Sequence, residues 1–274
     1  MLWKRIITAL VLIPVVVLGI LYLETSMLAL VLGVIVLLGA YEMARLANLR
    51  ERSAQVGFIL AVAALLWFIW WYLPPNGVEG LQWIMAIWWV LMTVVLVSRR
   101  SALPRLPGRR PVVLLLGGLV LATAWVSVLA LHGAGAAGPV LVLFLFVLIW
   151  VADSGAYFAG RAFGKRKLSP HVSPGKTWAG AGGAVAGAIV SALFLAAAAN
   201  VGQVSLPALI GLSVLVTAVS IGGDLWESRL KREAGVKDSG TLLPGHGGVL
   251  DRVDSLLAAA PVFALGAALI GLSA

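Results

Sequence analysis

The chain has 274 residues, 61% of them hydrophobic and only 11% charged, with a mean hydropathy of +1.04. A soluble domain carries about twice that charged fraction, so a soluble globular fold is excluded; the lack of cysteine excludes disulfides, thiolate metal sites and cysteine nucleophiles. The net charge of +9 suits the cytoplasmic loops of a polytopic membrane protein, and nucleic acid is not expected as a partner.

Apolar runs near the ~20 residues a bilayer demands predict nine membrane spans, at 5–23, 27–47, 56–73, 80–98, 111–131, 138–158, 178–200, 204–225 and 255–273. Short linkers rich in Gly, Pro and Asn separate them, such as Leu73-Pro74-Pro75-Asn76-Gly77 and His132-Gly133-Ala134-Gly135. The basic start followed by an apolar core resembles a signal sequence, but the core is long and no small-residue cleavage site follows, so it is read as an uncleaved first span. The aromatic group Trp67, Trp70, Trp71, Tyr72, Trp83, Trp88 and Trp89 is expected to anchor helices at the membrane interface. Span seven, with Gly180, Gly182, Gly183 and Gly187, is expected to pack closely against another helix, within one chain or between two.

Charge sets the predicted orientation. All 20 Lys and Arg residues fall at or before the start of span one, or at the end of span two and on to span three, or between spans four and five, six and seven, and eight and nine. The alternate linkers hold no Lys or Arg and only Glu24 and Glu79. The bias predicts an all-α, polytopic helical bundle in a bacterial-type inner membrane, with its N-terminus and its polar segments in the cytoplasm. Residues 1–130 form a set of scaffold or lipid-access spans, and 131–274 a catalytic region with cytoplasmic loops at 159–177 and 226–254.

Two polar segments carry the chemistry. The stretch 228–254 holds Lys231, Arg232, Lys237, Asp238, a His246-Gly247-Gly248 turn, then Asp251, Arg252 and Asp254. Cations, a flexible turn and closely spaced carboxylates suit a polyphosphate held with a divalent metal. Asp224 and Glu227 share one helical face, as do Asp251 and Asp254, and Asp153 lies near the end of span six. A carboxylate at bilayer depth costs roughly 2.5–3.5 kcal/mol and needs a partner or a metal. Oxygen ligands without cysteine favour Mg²⁺ over zinc. For His246, the flanking glycines favour a hydrogen-bond donor to phosphate over a metal ligand. In the other segment, Gly175-Lys176-Thr177 fails as a P-loop, because the leading glycine would fall at Pro170 and no strand precedes it. What remains is a phosphate cradle of Ser173, Lys176 and Thr177, or else an ordinary basic loop.

These residues resemble the phosphatidate cytidylyltransferases, also called CDP-diacylglycerol synthases. The family signature is matched by Ser228, Leu230, Lys231, Arg232, Lys237, Asp238, Gly240, Pro244, His246, Gly247, Gly248, Asp251, Arg252 and Asp254, without departure. The segments Asp153-Ser154-Gly155-Ala156-Tyr157, Ser173-Pro174-Gly175-Lys176-Thr177 and Gly223-Asp224-Leu225-Trp226-Glu227-Ser228 also look like this family. The likeness covers about residues 150–274, while the first 130 match only as apolar spans. It implies transfer of CMP from CTP to phosphatidic acid at the lipid bilayer, with Mg²⁺, a candidate K⁺ and a homodimer. An already anionic lipid phosphate attacks the α-phosphorus of CTP, so the protein positions the reactants and neutralises charge. Mg²⁺ is assigned to Asp224 and Asp251, with Asp254 as a third candidate. Ser173, Lys176 and Thr177 would hold triphosphate, joined by Ser228, Lys231, Arg232, Lys237, His246, Gly247, Gly248 and Arg252. The rivals are a transporter, whose charges belong at the midplane, and another membrane phosphotransferase such as a CDP-alcohol phosphotransferase or polyprenol kinase.

Overall fold

The computed structural model describes residues 2–98, 110–198, 204–242 and 247–272. Among them are nine helices: α1 (Leu2–Tyr22), α2 (Thr25–Leu46), α3 (Arg52–Tyr72), α4 (Pro75–Val97), α5 (Arg110–His132), α6 (Gly138–Phe163), α7 (Trp178–Ala198), α8 (Leu206–Ala234) and α9 (Leu250–Leu269). All but α1 are long and apolar enough to cross a membrane, and α1 adds the shorter apolar stretch Ile13–Tyr22. The helical membrane bundle read from the sequence is therefore observed. The predicted loop cations Arg99, Arg100, Arg105 and Arg109, and the signature residues Pro244 and His246, lie outside the described residues.

The polar segments are more ordered than the loops expected at 159–177 and 226–254. Helix α8 continues through Ala234, because its charged turns stabilise themselves at i,i+4 spacing: Lys231 with Glu227 at 2.9 Å and Arg229 with Glu233 at 2.8 Å. It stops at Gly235, whose φ of 74° is the left-handed cap that glycine adopts at low cost. Helix α9 begins at Leu250, so Asp251 and Asp254 belong to its first turns. Between α6 and α7 the chain forms an antiparallel hairpin, β1 (Lys167–Ser169) with β2 (Ser173–Thr177). Pro174 is tolerated there because both strands are edges. Ser169 Oγ donates to the Leu96 carbonyl at 3.1 Å and ties the hairpin to the end of α4.

Small residues set the helix spacing. A Cβ on Gly155 of α6 or on Gly183 of α7 would collide with the other's carbonyl oxygen. The glycines of span seven thus pack within the chain, except Gly182, which faces open space. On α8, a Cβ at Gly222 would collide with Thr93 of α4, and one at Gly223 with the Asp254 carbonyl of α9. This pair brings three helices together beside Asp224. Trp89 is fully buried, and Trp88 and Trp89 meet Trp226 of α8 edge to face at 5.9 and 5.6 Å. Those two tryptophans therefore serve helix packing, whereas Trp67, Trp70, Trp71, Tyr72 and Trp83 are exposed.

Candidate active site

A cavity of ≈ 580 Å³ opens between α6, α7, α8 and β2, within the range of small-molecule sites. Asp153, Tyr157 and Arg161 line it from α6, Lys176 and Thr177 from β2, and Asp224 from α8. Lys176 Nζ lies 2.6 Å from Asp224 Oδ2 and 3.5 Å from the Ile221 carbonyl. Ser228 Oγ, one turn along α8, donates to Asp224 Oδ1 at 3.1 Å. Thr177 Oγ1 accepts the Gly180 N–H at 3.1 Å, so this hydroxyl caps α7 and fixes the lysine beside it. Ser173 stands at the far end of β2 and does not line the cavity.

A second cluster adjoins the first on α8 and α9. Lys231 bridges Glu227 Oε2 at 2.9 Å and Asp251 Oδ1 at 2.6 Å. The Asp251 Oδ2 atom accepts the N–H groups of Ser239 (2.9 Å) and Gly248 (2.8 Å). Gly247 has a φ of 84°, and a Cβ there would stand 2.6 Å from Asp251 Oδ2, so the turn needs glycine for conformation and for space. Asp254 lies within electrostatic reach of both Asp224 and Glu227 and joins the two clusters. Among the described residues, Glu227 Oε1 is buried without a hydrogen-bond partner.

The structure divides the predicted site accordingly. Asp224, Lys176, Thr177 and Ser228 gather at the cavity, and Lys231, Gly247, Gly248 and Asp251 gather at the start of α9. Arg232, Lys237 and Arg252 are exposed next to the second cluster in sequence. His246 lies outside the described residues. Asp224 and Asp251 are each held by a different lysine, and no group of three or more His, Asp or Glu side chains stands at metal-ligand spacing among the described residues. The sequence reading missed Glu42 and Ser239. Glu42, on α2, is fully buried and accepts the N–H groups of Val249 and Leu250, each at 2.9 Å. The signal for it was available: it is an acidic residue inside the second apolar span.

A profile described as the Cytidylyltransferase family matches residues 3–270, far beyond the 150–274 that the motifs alone connect. A phosphatidate cytidylyltransferase of Pseudomonas aeruginosa is 45% identical, with 96% of each chain aligned. One from Haemophilus influenzae is 38% identical over 96% of this chain and 97% of its own. One from Bacillus subtilis is 48% identical over 45% of this chain and 46% of its own.

Proposed function

The chain belongs to the cytidylyltransferase family, and from that membership we propose that it transfers CMP from CTP to phosphatidate, giving CDP-diacylglycerol and pyrophosphate. The observation that carries the reading is the cavity with the Lys176–Asp224 pair in its wall. An ammonium at a polar cavity wall, on a hairpin held rigid by the Thr177 cap, is suited to a phosphate oxygen. The acyl chains stay in the bilayer while the headgroup reaches the cavity between α6 and α8. A phosphate oxygen of the lipid forms the new P–O bond to the α-phosphorus as the bond to pyrophosphate breaks. The nucleophile is already anionic, so the residues orient and neutralise instead of removing a proton.

Mg²⁺ fits the donor set. The carboxylates of Asp224, Asp251 and Asp254 supply only oxygen, and Glu227 Oε1 adds a buried oxygen without a partner among the described residues. Mg²⁺ is commonly held by one or two carboxylates together with substrate phosphates, which suits a site without a ready three-residue cluster. Asp224 and Asp251, with Asp254 as a third candidate, would hold the ion, which would neutralise phosphate charge. Lys237, Arg232, Arg252 and His246 are assigned to the triphosphate with Lys176, and Ser173, away from the cavity, is not. Lys231 supports Asp251, which its two carboxylate contacts favour. The family resemblance supports K⁺ as a second cation and a homodimer. The charge bias supports an N-terminus and a site on the cytoplasmic face.

The test is direct. Purified protein in detergent or bilayers is incubated with CTP labelled in its α-phosphate, phosphatidate and Mg²⁺. Label should move to the organic phase only when lipid and metal are both present. Label that stays aqueous in the complete mixture would refute the reaction.

A further inference from the structure

Glu42 stands outside the transfer chemistry, yet its environment is built with care. Its carboxylate, wholly buried near the end of α2, faces the start of α9, two long stretches of sequence away. One oxygen accepts the Val249 N–H, and the other accepts the Leu250 N–H. Val249 caps α9 with no side-chain bond of its own. Glu42 therefore supplies, from another helix, the acceptor that the helix start lacks, and the helix dipole offsets its charge. Space has been cleared for it. A Cβ on Gly240 or on Gly248 would collide with the Glu42 carboxylate, and the one on Gly248 would also strike Ser239 Oγ.

Ser239 connects this anchor to the active site. Its hydroxyl lies 2.9 Å from Glu42 Oε2 and 3.0 Å from Asp251 Oδ2. A hydroxyl has one proton and donates to one acceptor at a time. Asp251 Oδ2 already accepts two backbone N–H groups, so the Ser239 proton is best spent on Glu42. The Ser239 main-chain N–H then holds Asp251 while its side chain holds Glu42. Rotation of either carboxylate disturbs the other.

We propose that Glu42 is a positioning residue for the transfer reaction: through Ser239 and the first turn of α9 it fixes the orientation of Asp251. The inference rests on the assignment of Asp251 to the transfer site. Glutamine at position 42 would keep the volume but turn an amide N–H toward backbone N–H donors, so at least one bond would be lost. Alanine at position 239 removes only the hydroxyl that donates to Glu42 and leaves the main-chain N–H that holds Asp251.

The experiment uses the full chain in bilayers and the variants Glu42→Gln, Ser239→Ala and their combination. Each single change should lower kcat or raise the Mg²⁺ concentration for half-maximal rate by roughly ten- to a hundredfold, as loss of an outer partner of a metal-site residue does. The double variant should be no worse than the more damaged single, because both act through one contact. Without metal or substrate, amide exchange should quicken in Glu42→Gln across 239–242 and 247–252 and stay unchanged in α5 and α7. Wild-type kcat and Mg²⁺ dependence in Ser239→Ala, multiplying losses in the double variant, or unchanged exchange at 247–252 would each overturn the proposal. If Glu42→Gln does not fold, Ser239→Ala decides alone. A wild-type protein that transfers no label would refute the reaction instead, while the exchange data would still judge the Glu42 contacts.

Discussion

Single side chains in this protein are held in pairs, and the pairs dictate what each substitution should do. Asp251 accepts Lys231 on one oxygen and two backbone N–H groups on the other. Asp251→Asn removes the charge and turns an amide donor toward a donor, while Lys231 keeps Glu227 as a partner. The variant should insert and melt as a folded protein but lose label transfer by at least about a hundredfold; near-normal turnover would remove Asp251 from the site. Lys176 differs, because its contacts are Asp224 and one carbonyl at the cavity wall. Lys176→Ala should raise the KM for CTP or cut kcat by about tenfold or more. An unaltered CTP dependence would make 165–177 an ordinary basic loop.

At the scale of elements, helix spacing beside Asp224 depends on having no side chain at two adjacent positions. Gly223→Ala forces a methyl against the Asp254 carbonyl and the Ala258 side chain, so α8 and α9 must separate. Overpacking of this kind costs about 1–3 kcal/mol. A lower melting temperature in detergent together with slower transfer is expected, since Asp254 itself moves. A variant that melts and turns over like wild type would show that the two helices tolerate wider spacing. The extension of α8 to Ala234 has a related origin. Its ion pairs at i,i+4 carry the helix past the apolar stretch, and Gly235 ends it where the chain must turn back toward Asp251.

For the whole molecule, orientation is the open physical question, and the chain is well made for answering it. It has no cysteine, so a single introduced thiol reports alone. Lys165→Cys lies between α6 and β1, and Asn76→Cys lies at the start of α4. In sealed right-side-out vesicles, a membrane-impermeant maleimide should label Asn76→Cys directly and Lys165→Cys only after permeabilisation. The reverse pattern would put the site on the outer face. The N-terminal and C-terminal helices interleave in space: α4 packs on α8, α5 on α9, and Glu42 of α2 reaches the start of α9.

The membrane class, the order of the spans and the one-sided charge were legible in the sequence because each depends on local composition: a bilayer selects length, hydropathy and flanking cations residue by residue. Many of the polar side chains that the structure gathers could also be named in advance, among them Lys176, Asp224, Ser228, Lys231 and Asp251. What the sequence left open were relations between distant segments. It could not say that Lys176 meets Asp224 or that Lys231 serves Asp251. Nor could it reveal that Trp88 and Trp89 turn inward to Trp226, or that Gly240 and Gly248 make room for a carboxylate some two hundred residues upstream. Those choices belong to tertiary packing, because a buried polar group takes its partner from whatever helix the fold sets beside it, and the energy of leaving it unpaired does not depend on sequence distance.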